Sequence, residues 1–111
     1  MGGIVTRMAA NRLETIKRML EEDPNNSFLR YGLAMEHRNA GELEAAAAEF
    51  RKVIAANPDY VAAYFHGGQV LERLARVEEA RALYQSGIEA SLRTGDAHAR
   101  SELEAALSLL D

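Results

Sequence analysis

The stretch AANPDYVAAYFHGG, residues 55–68, carries Pro58, one of two prolines in the chain; the other, Pro24, lies in EEDPNNSFLRYGLA, residues 21–34. The prolines stand 34 residues apart, and each leads from a charged or alanine-rich run into a segment bearing aromatics. Proline lacks an N–H and cannot continue the helical turn before it comfortably. Asn25, Asn26 or Asp59, just beyond, can cap a helix that follows. Each proline therefore marks a boundary between structural units, and the spacing is a repeat. Laid over 59–92, residues 25–58 match well past proline: Ala34 meets Gly68, Ala46 meets Ala80, Phe50 meets Tyr84, Ile54 meets Ile88, and Tyr31 meets Phe65.

Each unit divides into two amphipathic segments. In RNAGEL, Gly41 follows a helical pattern where a left-handed cap residue is wanted, and in RLARVEE the matching place holds Ala75. Before Pro24, RLETIKRMLEEDP reads as the second half of a unit, with Leu13, Ile16 and Leu20 on one face. After RTGD, the segment AHARSELEAALSLL sets Leu103, Leu107 and Leu110 on one stripe. The pattern predicts six helices, over 9–22, 25–39, 42–56, 59–74, 77–91 and 96–110. The organisation expected is one domain: a flexible start over 1–8, a leading helix in 9–24, repeats at 25–58 and 59–92, and a capping helix in 95–111.

A length of 111 residues suits one domain with a modest core. Abundant Ala, Leu, Glu and Arg favour an all-α chain. A net charge of −4 offers no basic face for nucleic acid. The absence of cysteine removes disulfides, thiolate metal sites and thiol nucleophiles, and suits a cytoplasmic protein. No apolar run approaches the ~20 residues that span a bilayer. Met1-Gly2 with Thr6 meets the loose acylation pattern, which is short and commonly met by chance.

A helix–turn–helix unit of this period resembles the tetratricopeptide repeat. Tyr64 takes the early aromatic slot of the second unit, Gly68 the glycine, Ala80 the first alanine and Tyr84 the second-helix aromatic. In the first unit Leu33, Ala34, Ala46, Phe50 and Pro58 match. Arg30, His37, Gly67, Leu71, Val53, Gly87 and Leu92 depart from the pattern. The resemblance covers roughly 11–92 and implies a right-handed solenoid of antiparallel helix pairs, flanked by capping helices. It also implies that Ala34, Gly68, Ala46 and Ala80 permit close helix approach while Phe50 and Tyr84 fill the space between units.

Little in the chain points to catalysis. His37, His66 and His98 are well separated and no HExxH spacing occurs. His37 is read as a partly buried substitute for tyrosine, and His66 and His98 as surface residues. The glycines of FHGGQV fall inside a helical pattern with no following GK[ST], so they form no phosphate loop. Most carboxylates, as in the i,i+4 pair Glu72 and Arg76, read as a solvated face. No enzyme, cofactor or metal is expected.

In such a solenoid the first helix of each pair lines the concave side. The resemblance carries the ligand-facing slots to Phe28, Tyr31, Met35, Arg38 and Asn39 in the first unit, and to Ala62, Phe65, Gln69, Glu72 and Arg73 in the second. The apolar members would make a floor and Arg38, Asn39, Gln69 and Arg73 a polar wall, suited to an extended or helical peptide with apolar anchors, with room for a carboxylate on the polar wall. The Lys and Asn clamp of chaperone-tail binders is missing, because Tyr31, Met35, Phe65 and Gln69 hold the matching places. The expected function is non-catalytic binding of a protein or peptide partner, with no nucleic acid or membrane. The alternative is homo-oligomerisation through the groove or a solenoid end.

Overall fold

A computed structural model describes residues 3–110, with side chains from Asn11 onward. Six helices follow one another: α1 Gly3–Glu22, α2 Ser27–Asn39, α3 Leu43–Ala56, α4 Val61–Arg73, α5 Val77–Thr94 and α6 Ala97–Ser108. Each packs on its neighbours in sequence, and α4 also touches α6. The result is an all-α helical solenoid, 40 × 31 × 21 Å.

Local chemistry explains where the helices stop. After α2, Gly41 sits at φ 78°, and the N–H of Glu42 reaches the carbonyl of His37 at 2.9 Å. After α4, Ala75 adopts the same left-handed conformation at φ 61°, and the N–H of Arg76 reaches the carbonyl of Leu71 at 2.8 Å. Gly95, at φ 72°, closes α5 in the same way, with the N–H of Asp96 on the carbonyl of Ser91. All three are Schellman closures that satisfy otherwise orphaned carbonyls. Ala75 is the strained one, since its Cβ crowds the backbone in that region.

The starts differ from expectation in part. Asn26 caps α2, its side chain accepting from the N–H of Leu29 at 3.0 Å. Asp96 does the same for α6, accepting from Ala99 at 3.0 Å. Asp59 caps nothing: α4 starts at Val61 without a side-chain cap bond, and the Asp59 carboxylate pairs with Arg93 at 3.0 Å. Helix α1 begins at Gly3 rather than near residue 9, so residues 3–8, read as a flexible start, continue the helix. No proline interrupts the stretch between residues 3 and 22, and Met8, Ala9 and Ala10 are strong helix formers. Met1 and Gly2, which carry the acylation pattern, lie outside the described residues. At the other end α5 runs on to Thr94, because Leu92 stands where a unit-closing proline would end the helix.

The core lies between consecutive helices. Ala34, Ala46, Ala80, Phe50 and Tyr84 are fully buried. A Cβ added at Gly68 would overlap the Tyr84 ring, and one added at Gly87 would lie 2.6 Å from the Tyr64 Cβ. Glycine stands at both positions because a neighbouring side chain, the Tyr84 ring at Gly68 and Tyr64 with Leu103 at Gly87, occupies the space a Cβ would need. Leu103 is fully buried from α6, while Leu107 and Leu110 pack at its edge.

One departure from the repeat pattern, Arg30, keeps the bond that the matching Tyr64 makes. The Tyr64 hydroxyl donates to the carbonyl of Pro58 at 2.6 Å. One unit earlier, Arg30 occupies the same slot and its guanidinium donates to the carbonyl of Pro24 at 3.2 Å. Different side chains thus satisfy the same boundary carbonyl, and Arg30 also pairs with Glu49 of α3 at 2.8 Å.

Candidate functional site

Helices α2, α4 and α6, the first members of successive pairs, lie side by side on one face. Their starts at Ser27, Val61 and Ala97 follow at intervals of 34 and 36 residues, the second longer because α5 is longer. Side chains bridge α2 to α4. Tyr31 packs edge-on to Phe50 at 5.9 Å between ring centroids, beside Tyr60 at 5.1 Å and against His66 at 6.0 Å. Phe65 meets His66 edge-on at 5.4 Å and Tyr84 at 6.5 Å. A half-buried row therefore runs Tyr31, His66, Phe65 across two helices.

His66 is the residue that the sequence reading misplaced. It is not a plain surface side chain but the middle of this row, and its Nδ1 lies 3.1 Å from Nη1 of Arg38. A guanidinium only donates, so Nδ1 must accept and the ring is neutral. Burial first, and the Arg38 charge second, push the imidazole below its ordinary range, opposed by Glu102. No sequence motif marks this; it needs α2 and α4 brought together. His37 is partly buried, as read, and meets Glu42 at 3.0 Å. His98 is exposed, as read, and meets Glu102 at 3.3 Å.

The other residues expected on this face fall out as follows. Phe28, in the first turn of α2, is 73% exposed. Met35, like Tyr31 and Phe65, is partly buried against the core, so these three serve packing as well as surface. Arg38 also donates to the Asn39 side chain at 3.0 Å. Gln69, Glu72 and Arg73 are exposed along α4, and so is Ala62. Glu72 is not the partner of Arg76: it accepts the hydroxyl of Tyr84 from α5, while Arg76 reaches Glu44 at 3.1 Å. Burial and that bond to a carboxylate hold the Tyr84 phenol strongly in its protonated form.

The face opens into two depressions between α4 and α6. One, of about 230 Å³, lies against Ala62, Phe65, His66 and His98. The other, of about 400 Å³, is lined by Phe65, Gln69 and Glu72 from α4 and by Glu102, Ala105, Ala106 and Leu109 from α6. The α6 residues were not anticipated, because that helix was read as a cap rather than as a third first-helix. Among the described residues no three His, Asp or Glu side chains gather as metal ligands, and no helix is long and apolar enough to cross a membrane.

Comparison with known proteins agrees with this architecture. A TPR repeat-containing protein of Pseudomonas aeruginosa is 27% identical over 99 residues, which is 89% of this chain and 94% of that protein. The crystal structure of a tetratricopeptide repeat domain protein from Salinibacter ruber superposes with a TM-score of 0.73 at 36% identity, covering 77% of this chain and 94% of that one. The solution structure of a Bordetella parapertussis protein superposes at 0.76 with 26% identity, covering 88% and 85%. The tetratricopeptide repeat family profile matches residues 31–91, more than half of the chain. With its period, its small-residue contacts and its stacked helix pairs, the chain belongs to the tetratricopeptide repeat family, in general a non-catalytic protein-interaction module.

Proposed function

We propose that the face formed by α2, α4 and α6 holds a segment of a partner protein and carries out no chemistry of its own. The observation that supports this most is the row Tyr31, His66, Phe65, whose rings are only half-buried and continue into an open furrow. Half-exposed aromatics supply large contact area at little conformational cost, and such residues dominate interface energies. Phe28 and Met35 extend the apolar surface along α2. Arg38, Asn39, Gln69 and Arg73 provide hydrogen-bonding groups beside it.

The experiment is site-specific photo-crosslinking in extracts of the source cells. A photoreactive residue at Gln69 captures a defined partner, whereas one at Lys52, exposed on α3, does not. Phe65→Ala, checked for an intact helical spectrum, removes the Gln69 adduct. Equal capture from Lys52, or undiminished capture by Phe65→Ala, would refute the assignment. An adduct of twice the chain's own mass would identify the partner as a second copy.

A further inference from the structure

The larger furrow has a chemistry of its own. Its floor is apolar, built from Phe65, Ala105, Ala106 and Leu109, and Leu109 is 86% exposed. Its rim carries two carboxylates, Glu72 from α4 and Glu102 from α6. Several other exposed acids are answered by arginine: Glu79 by Arg51, Glu44 by Arg76, Asp59 by Arg93 and Glu104 by Arg100. Glu72 holds the hydroxyl of Tyr84 instead, and Glu102 meets His98. Arg73, which ends α4, does not line the furrow.

Resting on the proposed binding face, we infer that this furrow receives a partner segment presenting an arginine or lysine next to an apolar residue. An arginine or lysine side chain is itself an apolar stem with a cationic head. Laid across the floor, its stem covers Ala105 and Leu109 while its head reaches Glu72 and Glu102. The neighbouring apolar residue fills the space beside Phe65. The volume of about 400 Å³ lies within the roughly 300–1,000 Å³ of small-ligand clefts. An acidic segment meets two like charges here, and like charges brought together at an interface are strongly disfavoured.

The test is fluorescence anisotropy on the full chain. The probe is a short end-blocked peptide alternating leucine and arginine, compared with versions in which glutamate or glutamine replaces arginine. The arginine peptide binds best, and added salt weakens it. Glu72→Gln and Glu102→Gln each reduce affinity about two- to fivefold, the measure of an exposed ion pair. Glu102→Lys reduces it further, and because this side chain is half exposed it decides the matter should Glu72→Gln disturb Tyr84. Backbone amide shifts on binding gather in α4 and α6. The inference is overturned if the glutamate peptide binds as well, if no peptide binds, or if the carboxylate variants keep full affinity. Should the glutamate peptide bind and shift amides around Tyr31 and Arg38 instead, this inference fails while the binding face stands.

Discussion

Replacing Gly68 by alanine adds one carbon, and the structure says where it must go. The new Cβ would fall inside the van der Waals envelope of the Tyr84 ring, with Cε1, Cδ1 and Cζ its nearest neighbours. Tyr84 cannot yield cheaply. It is fully buried, Phe65 packs on its ring, and Glu72 holds its hydroxyl. Overpacking of this kind costs about 1–3 kcal/mol, and the confined ring places Gly68→Ala at the upper end. Against that, alanine gains about 1 kcal/mol of helix propensity over glycine. The net loss is about 2 kcal/mol, a fall in Tm of roughly 8 °C or more for a domain of this size. Gly32→Ala is the control. Its Cβ would sit 3.7 Å from Cδ1 of Ile16, an ordinary contact, in the interior of α2. Only the propensity term remains there, so Gly32→Ala stabilises by up to about 1 kcal/mol. Urea denaturation with unchanged m-values measures both. A Gly68→Ala protein as stable as the parent, or a Gly32→Ala loss of equal size, would refute the claim that Tyr84 dictates glycine at position 68.

Gly41→Ala loses about 1 kcal/mol while Ala75→Gly is neutral or stabilising, because both sites need positive φ and only glycine adopts it freely; thermal melts of the two variants check this. His66 titrates below the ordinary histidine range, so the unfolded chain binds the proton more readily and this residue's contribution to stability declines as pH falls through about 6.5, the unfolded value. In an NMR titration of the imidazole, Arg38→Ala raises its midpoint by removing a like charge, and Glu102→Gln lowers it by removing an opposite one.

What was legible in the sequence was whatever repeats or acts locally. The prolines at 34-residue spacing, the pairing of Phe50 with Tyr84 and of Ala46 with Ala80, and the equivalence of Gly41 with Ala75 reappear as breaks between helices, buried core and left-handed caps. Such features are readable because backbone sterics and helical periodicity act over a few residues, and a second copy of the pattern checks the first. Helix ends were less well read. Asp59 had the right chemistry for a cap but found Arg93, 34 residues later, a closer partner.

The face proposed to bind depended on neighbours that no local pattern records. His66 became the hinge of an aromatic row because α2 brings Tyr31 and Arg38 against it from 28 residues or more away. Glu72, read as a solvated acid, was taken by Tyr84 across the α4–α5 pair. Helix α6 turned from a cap into the second wall of a furrow because α5 runs on to Thr94 before the chain turns back. Sequence periodicity determines which residues point inward along a helix. Which two outward faces then meet is settled by how the helix pairs stack, and that arrangement arises only when the whole core packs.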